Sequence, residues 1–272
     1  MVNPDKPLAG KRIVVTRAAE QAPTFSRALS EKGADVIILP CIDFVPPEDC
    51  SELDSALLRL SQFDWIAFTS QNAVRFFLQR RREKGRDVSD GRLSAPKFAA
   101  LGAATAEVAR REGLSLDGVA LAARSGTEFV AAFAPVASGT RILLPASDQA
   151  GDLIANALRS AGADVTSVVA YRTCMPESLD GPTLARLQRE GADVIFFGSP
   201  SAFRNFVQMV NEDTRIPLLA ATAVGAIGPT TAQAIRDWGF PVAFESPQPD
   251  TNAIIKAMTD YFASRKREKT RE

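Results

Sequence analysis

The 272 residues include no histidine, and 32 basic residues balance 32 acidic ones. The lack of histidine excludes Ser-His-Asp and Cys-His nucleophiles and histidine-ligated metals, so any chemistry must use other side chains or the backbone. The neutral balance gives no sign of a nucleic-acid partner, and this length predicts about two domains.

In the first half of the chain, short apolar runs alternate with helical patterns. The predicted strands are Arg12–Thr16, Asp35–Leu39, Trp65–Phe68 and Lys97–Leu101. Between them, apolar residues recur at helical spacing, as Phe25 and Leu29 do, and Gly33 ends that helix. The polar stretch Lys84–Pro96 indicates a loop. Thr127 is expected to cap a short helix that runs to Phe133.

The second half repeats this order. Its predicted strands are Ile142–Leu144, Asp164–Val169, Val194–Phe197, Ala223–Ile227 and Val242–Phe244. Apolar residues again recur at helical spacing between and after them. Continuous apolar strands that alternate with amphipathic helices are typical of a parallel sheet covered by helices on both faces. We therefore predict an α/β fold of two doubly wound parallel-sheet domains with about five strands each.

The two halves are also similar in sequence. Gly10–Val15 (GKRIVV) returns 129 positions later as Gly139–Leu144 (GTRILL), and the same shift carries Asp64–Ser70 onto Asp193–Ser199. A repeated unit of this size is a domain, because solenoid repeats have periods of about 20–50 residues. The sequence therefore predicts an internal duplication, with a ligand cleft between the two domains.

Small polar residues follow the predicted strands in both halves. Ligands of such sheets bind outside the carboxyl ends of the strands, where hydroxyls and free N–H groups at helix starts bind anions. Simple helix capping is the alternative for each hydroxyl, and a surface position is the alternative for the arginine. The candidate binding residues are Thr16, Arg17, Ser70, Asn72, Gly102, Thr105, Ser199, Ser201, Gly228, Thr230 and Thr231.

Neither a metal nor an organic cofactor is expected. Cys41, Cys50 and Cys174 are odd in number and form no CxxC pair, which indicates a reduced cytoplasm rather than a disulfide frame or a zinc site. No dinucleotide or phosphate-loop motif occurs. No apolar run reaches the ~18 residues that span a bilayer, and no signal core is seen. We expect a cytoplasmic protein that binds neither membranes nor nucleic acids.

Several of these blocks together carry a family resemblance. Phe68–Val74 (FTSQNAV), Phe197–Phe203 (FGSPSAF) and Ala226–Ala232 (AIGPTTA) resemble motifs of the uroporphyrinogen-III synthase family. The opening Arg12–Arg17 and the pair Tyr171-Arg172 also fit, and the resemblance covers roughly residues 9 to 260. At Gly198 the family more often has Thr or Ser, and the segment after Pro145 lacks the family's frequent Arg-Gly.

The resemblance implies a lyase of tetrapyrrole and haem biosynthesis. Hydroxymethylbilane would lose water and close, with ring D inverted, to uroporphyrinogen III. Tyr171 would assist departure of the hydroxyl as a weak general acid, or it is a packing residue at the domain junction. The enzyme would need no cofactor and act as a monomer, with possible transient contact to the preceding pathway enzyme.

The resemblance also implies that the domains do not coincide with the repeats. The first domain would be residues 1–40 plus 171–272 and the second residues 41–170, joined by a two-strand linker. Two other classes stay open: a two-lobed small-molecule binding protein without catalysis, which usually has a signal sequence, and a glycosyltransferase, which usually has a nucleotide-sugar site and a longer chain.

Overall fold

The computed structural model describes residues 5–19, 22–85, 96–117, 122–123 and 125–269. Its elements in chain order are β1 (Arg12–Val15), α1 (Ala22–Glu31), β2 (Asp35–Ile38), β3 (Asp43–Val45), α2 (Ser51–Leu58), β4 (Trp65–Phe68), α3 (Gln71–Glu83), β5 (Lys97–Ala100), α4 (Gly102–Arg111), α5 (Gly126–Ala137), β6 (Arg141–Ser147), α6 (Leu153–Ser160), β7 (Asp164–Cys174), α7 (Gly181–Glu190), β8 (Val194–Phe197), α8 (Pro200–Met209), α9 (Glu212–Ala221), β9 (Ala223–Ala226), α10 (Pro229–Arg236), β10 (Phe244–Glu245) and α11 (Thr251–Lys269).

The chain divides into two compact units. Unit 1 is residues 1–43 plus 174–272, and unit 2 is residues 44–173. The two boundaries each lie three residues after those expected from the sequence, at 43/44 rather than 40/41 and at 173/174 rather than 170/171. Among the described residues, no helix has both the length and the apolar character that crossing a membrane requires.

Each unit is built on a five-stranded sheet. The order is β10-β9-β8-β1-β2 in unit 1 and β3-β7-β6-β4-β5 in unit 2. The pairings of β1 with β2 and β8, and of β4 with β5 and β6, are parallel. The prediction of two doubly wound parallel-sheet domains is therefore confirmed. Each sheet contains strands from both sequence repeats. In unit 1, β1 and β2 join β8, β9 and β10, and in unit 2, β3, β4 and β5 join β6 and β7.

Helices pack on both faces of the unit 2 sheet. Successive side chains of a strand point to opposite faces, so one strand can contribute to two cores. Ile66 and Phe68 of β4 pack into a core with α2, α3 and α4. Trp65 and Ala67 of the same strand pack into a second core with α5 and α6. In unit 1, α1 and α11 cover one face of the sheet, and they bury Ile13 and Val15.

Several local predictions were wrong. Ser125, not Thr127, caps α5 by accepting a hydrogen bond from Glu128 N at 3.2 Å, and that helix continues to Ala137. The sequence patterns did not reveal β3, α7 or α9. Most of the loop predicted at Lys84–Pro96 lies outside the described residues.

Candidate functional site

The carboxyl ends of four neighbouring strands form one edge of unit 2. In the sheet order β7-β6-β4-β5, adjacent strands lie about 4.8 Å apart. Tyr171 stands near the end of β7, Ser70 follows β4, and Gly102 follows β5. Three predicted site regions that are distant in sequence therefore lie along a single edge.

Tyr171 is held from three sides and is only 7% exposed. Its ring stacks on Phe76 at a centroid distance of 5.6 Å and forms a T-shaped pair with Phe44 at a centroid distance of 5.7 Å. Its phenol oxygen lies 3.1 Å from Ser70 Oγ. Ser70 is also the N-cap of α3, where its Oγ accepts a hydrogen bond from Ala73 N at 3.1 Å. The tyrosine hydroxyl is thus linked to the first turn of a helix.

The other two predicted side chains of this edge are turned inward. Asn72, in the first turn of α3, is 4% exposed, and Thr105 of α4 is 6% exposed. Gly102 begins α4 with φ of +79°, in the left-handed region that favours glycine. The N-cap residue of that helix is Leu101, whose apolar side chain offers no cap.

In unit 1 the equivalent edge is formed by β1, β8 and β9, which are neighbours in the sheet. Thr16 at the end of β1 is fully buried, and its hydroxyl donates a hydrogen bond to Phe196 O of β8 at 2.9 Å. The Thr16 hydroxyl therefore has a structural role, because it ties the end of β1 to β8. Arg17 follows it, with its guanidinium 4.8 Å from the centre of the Phe25 ring, and burial lowers the pKa of Arg17.

The family departure at Gly198 has a local explanation. A Cβ at this position would lie 3.2 Å from Arg17 Cγ and 3.3 Å from Arg17 Nε, closer than side chains normally approach. In the other repeat, Thr69 stands at the position equivalent to Gly198, and Ala146 stands at the position equivalent to Arg17. The glycine thus leaves room for a cation that unit 2 does not carry at the matching position.

Two helices begin at this unit 1 edge. Ser199 caps α8, and its Oγ accepts a hydrogen bond from Ala202 N at 3.0 Å. Ser201 is half-buried and lies 3.4 Å from a guanidinium nitrogen of Arg204. At α10, the N-cap residue is Gly228, which has no side chain with which to cap the helix. Thr230 is exposed in its first turn, whereas Thr231 is 2% exposed.

The two units share a pattern of capped and uncapped helix starts. The helices after β4 and β8 are capped by serine, Ser70 and Ser199. The helices after β5 and β9 lack a side-chain cap from their own N-cap residues, Leu101 and Gly228. An uncapped first turn keeps N–H groups available for an anion. Backbone groups at these two starts are thus better placed for an anion than the buried Thr105 hydroxyl.

Sequence reasoning missed the two phenylalanines that hold Tyr171. Phe44 lies in β3, which is too short for a periodic signal, and Phe76 lies within the α3 pattern. Within the described part of the chain, no three His, Cys, Asp or Glu side chains group as metal ligands would. Burial raises the pKa of the Cys41 thiol to about 12, so this cysteine is not a nucleophile near neutral pH.

The fold and the strand ends described above define a two-domain, doubly wound α/β protein. Comparisons with known proteins identify the family within this class. The profile of the family described as "Uroporphyrinogen-III synthase HemD" matches residues 23–256. The uroporphyrinogen-III synthase of Synechococcus elongatus is 29% identical over 266 residues, which cover 94% of this chain and 97% of the relative. The chloroplastic uroporphyrinogen-III synthase of Oryza sativa subsp. japonica is 28% identical over 254 residues, which cover 91% of this chain and 80% of that protein.

A solved structure shares the fold. The crystal structure of uroporphyrinogen-III synthetase from Helicobacter pylori 26695 matches with a TM-score of 0.59 and 16% identity, over 92% of this chain and 99% of that chain. The chain therefore belongs to the uroporphyrinogen-III synthase family, as its sequence motifs indicated.

Proposed function

We propose that this chain closes hydroxymethylbilane with loss of water and inversion of ring D to give uroporphyrinogen III, a lyase reaction. The single observation that carries the proposal is the family match over residues 23–256. The bilane's hydroxyl leaves readily from an electron-rich pyrrole, so strong acid catalysis is not required. A chain without histidine suits this demand.

The departing hydroxyl would receive its hydrogen bond from Tyr171. Ser70 Oγ accepts the Ala73 N–H, and its own proton is then free to point at the Tyr171 oxygen 3.1 Å away. Each donor polarises the next one in such a chain. The phenol proton would then face the leaving group, and Tyr171 would act as a weak general acid or hydrogen-bond donor.

The substrate's carboxylates would be held by backbone N–H groups more than by hydroxyls. The starts of α4 and α10 support this, because their own N-cap residues, Leu101 and Gly228, make no side-chain hydrogen bond to the first turn. Arg17 adds a cation that is partly withdrawn from water. Ser199, Ser201 and Thr230 lie on the same unit 1 edge as secondary contacts, and Thr16 has a structural role.

Holding the bilane would decide which product forms. Free bilane closes unaided to isomer I, whereas a held bilane closes through a spiro intermediate to isomer III. Orientation of this kind supplies several kcal/mol of selectivity. The enzyme would act as a cytoplasmic monomer without a cofactor, with transient contact to the preceding pathway enzyme as a further proposal.

The test is the isomer ratio from enzymatically made bilane, measured by chromatography of the oxidised products. The parent should shift product from isomer I to isomer III. A chain that binds bilane but leaves isomer I as the product would be a two-lobed binding protein, and the proposal would be wrong.

A substitution at Gly228 tests how the carboxylates are held. Its backbone is extended, and the space that a Cβ would occupy is open to at least 4 Å, so Gly228→Asp fits and places a carboxylate at the start of α10. We expect a stability gain of about 0.3–1 kcal/mol but a higher KM and more isomer I. Gly228→Ala is the control, and equal KM values in the two variants would contradict binding at this helix start.

A further inference from the structure

The alternation of side chains along β7 breaks at Tyr171. Val168 is buried, Val169 is 36% exposed and Ala170 is buried, so strict alternation would expose Tyr171. Instead both Ala170 and Tyr171 join the same core. The register with β6 shifts here, with Ala146 opposite Val169 but Ser147 opposite Tyr171. Such bulges re-aim a side chain, and this one directs the Tyr171 ring inward.

The bulged strand continues past the end of its neighbour. Strand β6 ends at Ser147, so its pairing with β7 stops at Tyr171 and does not reach Thr173. The residues that follow Ser147 make the next hydrogen bonds to β7 in place of strand pairing. Asp148 N donates a hydrogen bond to Tyr171 O at 3.0 Å, and Asp148 Oδ1 accepts one from Thr173 N at 3.0 Å. Gln149 Nε2 donates to Thr173 O at 2.9 Å.

The carboxylate of Asp148 is itself held in place. Ser147 Oγ donates to Asp148 Oδ1 at 2.9 Å and accepts a hydrogen bond from Gln149 N at 3.1 Å. Asp148 therefore bonds the backbone on both sides of Arg172, at Tyr171 through its N–H and at Thr173 through its side chain. A carboxylate that accepts a backbone N–H bond makes a stronger contact than a neutral acceptor does.

We propose that Asp148 is a positioning residue for Tyr171, which acts by fixing the bulged backbone of β7 so that the phenol stays aligned with Ser70 and the substrate. The part of this proposal that concerns catalysis rests on the proposed function. Asp148 is exposed, so its side chain is not held in place by packing in a core, and its hydrogen bonds are what tie it to β7. A displacement of about 1 Å at a catalytic group costs up to ~100-fold in rate, so a loose bulge would lower turnover without unfolding the unit.

The kinetic test compares Asp148→Ala with Asp148→Asn and Tyr171→Phe. We expect Asp148→Ala to lower kcat about tenfold with KM nearly unchanged, and Asp148→Asn to recover most of the loss because its amide oxygen still accepts the Thr173 N–H. In the Tyr171→Phe background, Asp148→Ala should cost little more. A full multiplicative loss in the double variant would show that Asp148 acts elsewhere and would overturn the proposal.

A second readout does not depend on turnover. The chain has two tyrosines, Tyr171 in unit 2 and Tyr261 in unit 1, so fluorotyrosine labelling should give two fluorine NMR signals, which Tyr171→Phe assigns. Asp148→Ala should shift or broaden the Tyr171 signal and leave Tyr261 unchanged. An unmoved Tyr171 signal would overturn the proposal even if the protein closed no bilane, whereas a moved signal without turnover would fault only the proposed function.

The matched control is Asp64→Ala. Asp64 Oδ2 accepts a hydrogen bond from Arg141 N at 2.8 Å, at the start of the same strand β6. It is an exposed carboxylate bonded to a backbone N–H, as Asp148 is, but at the opposite end of the sheet. We expect Asp64→Ala to leave both kcat and the Tyr171 signal at parental values. An equal effect of the two alanine variants would indicate general loosening of unit 2 and contradict positioning.

Discussion

The bond between Tyr171 and Ser70 can be measured by a double-mutant cycle. Tyr171→Phe keeps the ring between Phe76 and Phe44 and removes only the phenol that lies 3.1 Å from Ser70 Oγ. A neutral hydrogen bond contributes about 0.5–1.5 kcal/mol net, so we expect a loss of this size in the free energy of unfolding. Turnover should fall about 10–100-fold, at or below the low end of general-acid effects.

Ser70→Ala removes the same bond and also the cap of α3, so its cost should include a further ~0.5–2 kcal/mol. Ser199→Ala measures the cap alone, since Ser199 occupies the equivalent place in α8 and bonds Ala202 N at 3.0 Å. Because Ser70→Ala and Tyr171→Phe delete one shared bond, the double variant should fall short of additivity by about 0.5–1.5 kcal/mol. Denaturant unfolding and bilane turnover are the assays. Additive stability losses together with parental turnover in Tyr171→Phe would refute the reasoning and assign Tyr171 to packing.

Three further outcomes are expected. Gly198→Thr should displace Arg17, whose Cγ lies 3.2 Å from the new Cβ position, and raise KM for bilane about tenfold; an unchanged KM would exclude Arg17 from substrate binding. Hydrogen bonds from Arg80 hold the pKa of Asp54 at about 2, below its ordinary 3.8, so the stabilisation is present above about pH 4 and lost as the pH falls through about 2. Asp54→Asn should therefore lower Tm at pH 7, and the difference from the parent should shrink as the pH falls towards 2 and vanish only below it; a pH-independent difference would contradict this cause. Dialysis against a chelator should leave turnover unchanged, and a loss restored by one divalent ion would overturn the cofactor-free prediction.

The parts of the fold that depend on long patterns were predictable from sequence. Strands such as Val194–Phe197 and the two five-stranded sheets follow from apolar runs and from the duplication. The missed strand β3 has three residues, all half-buried, so it carries no alternation that a pattern could detect. Helix α9 contains Pro217, which argues against a helix when only the sequence is read.

The candidate site was predictable at the level of strand ends but not of individual atoms. Sequence placed Ser70, Gly102 and Tyr171 at the ends of strands, and the sheet order brings those strands together. It could not reveal that Thr105 and Thr231 face inward, because both residues suit either a helix interior or an exposed first turn. The bulge that aims Tyr171 depends on register between β6 and β7, which no local pattern records.

The mixed origin of the strands in unit 1 affects the order in which the protein can fold. Ile13 of β1 pairs with Val194 of β8, so the ribosome must release the chain at least as far as Val194 before these two strands can pair. The strands of unit 2 emerge earlier and complete their own sheet, in which β3 and β7 are neighbours. That step shortens the loop between Ile13 and Val194 from about 180 flexible residues to about 50, which lowers the closure cost by about 1 kcal/mol. We therefore expect unit 2, once folded, to speed the closure of unit 1, and mutations that slow the folding of unit 2 to delay protection of β1 amides in pulsed hydrogen exchange.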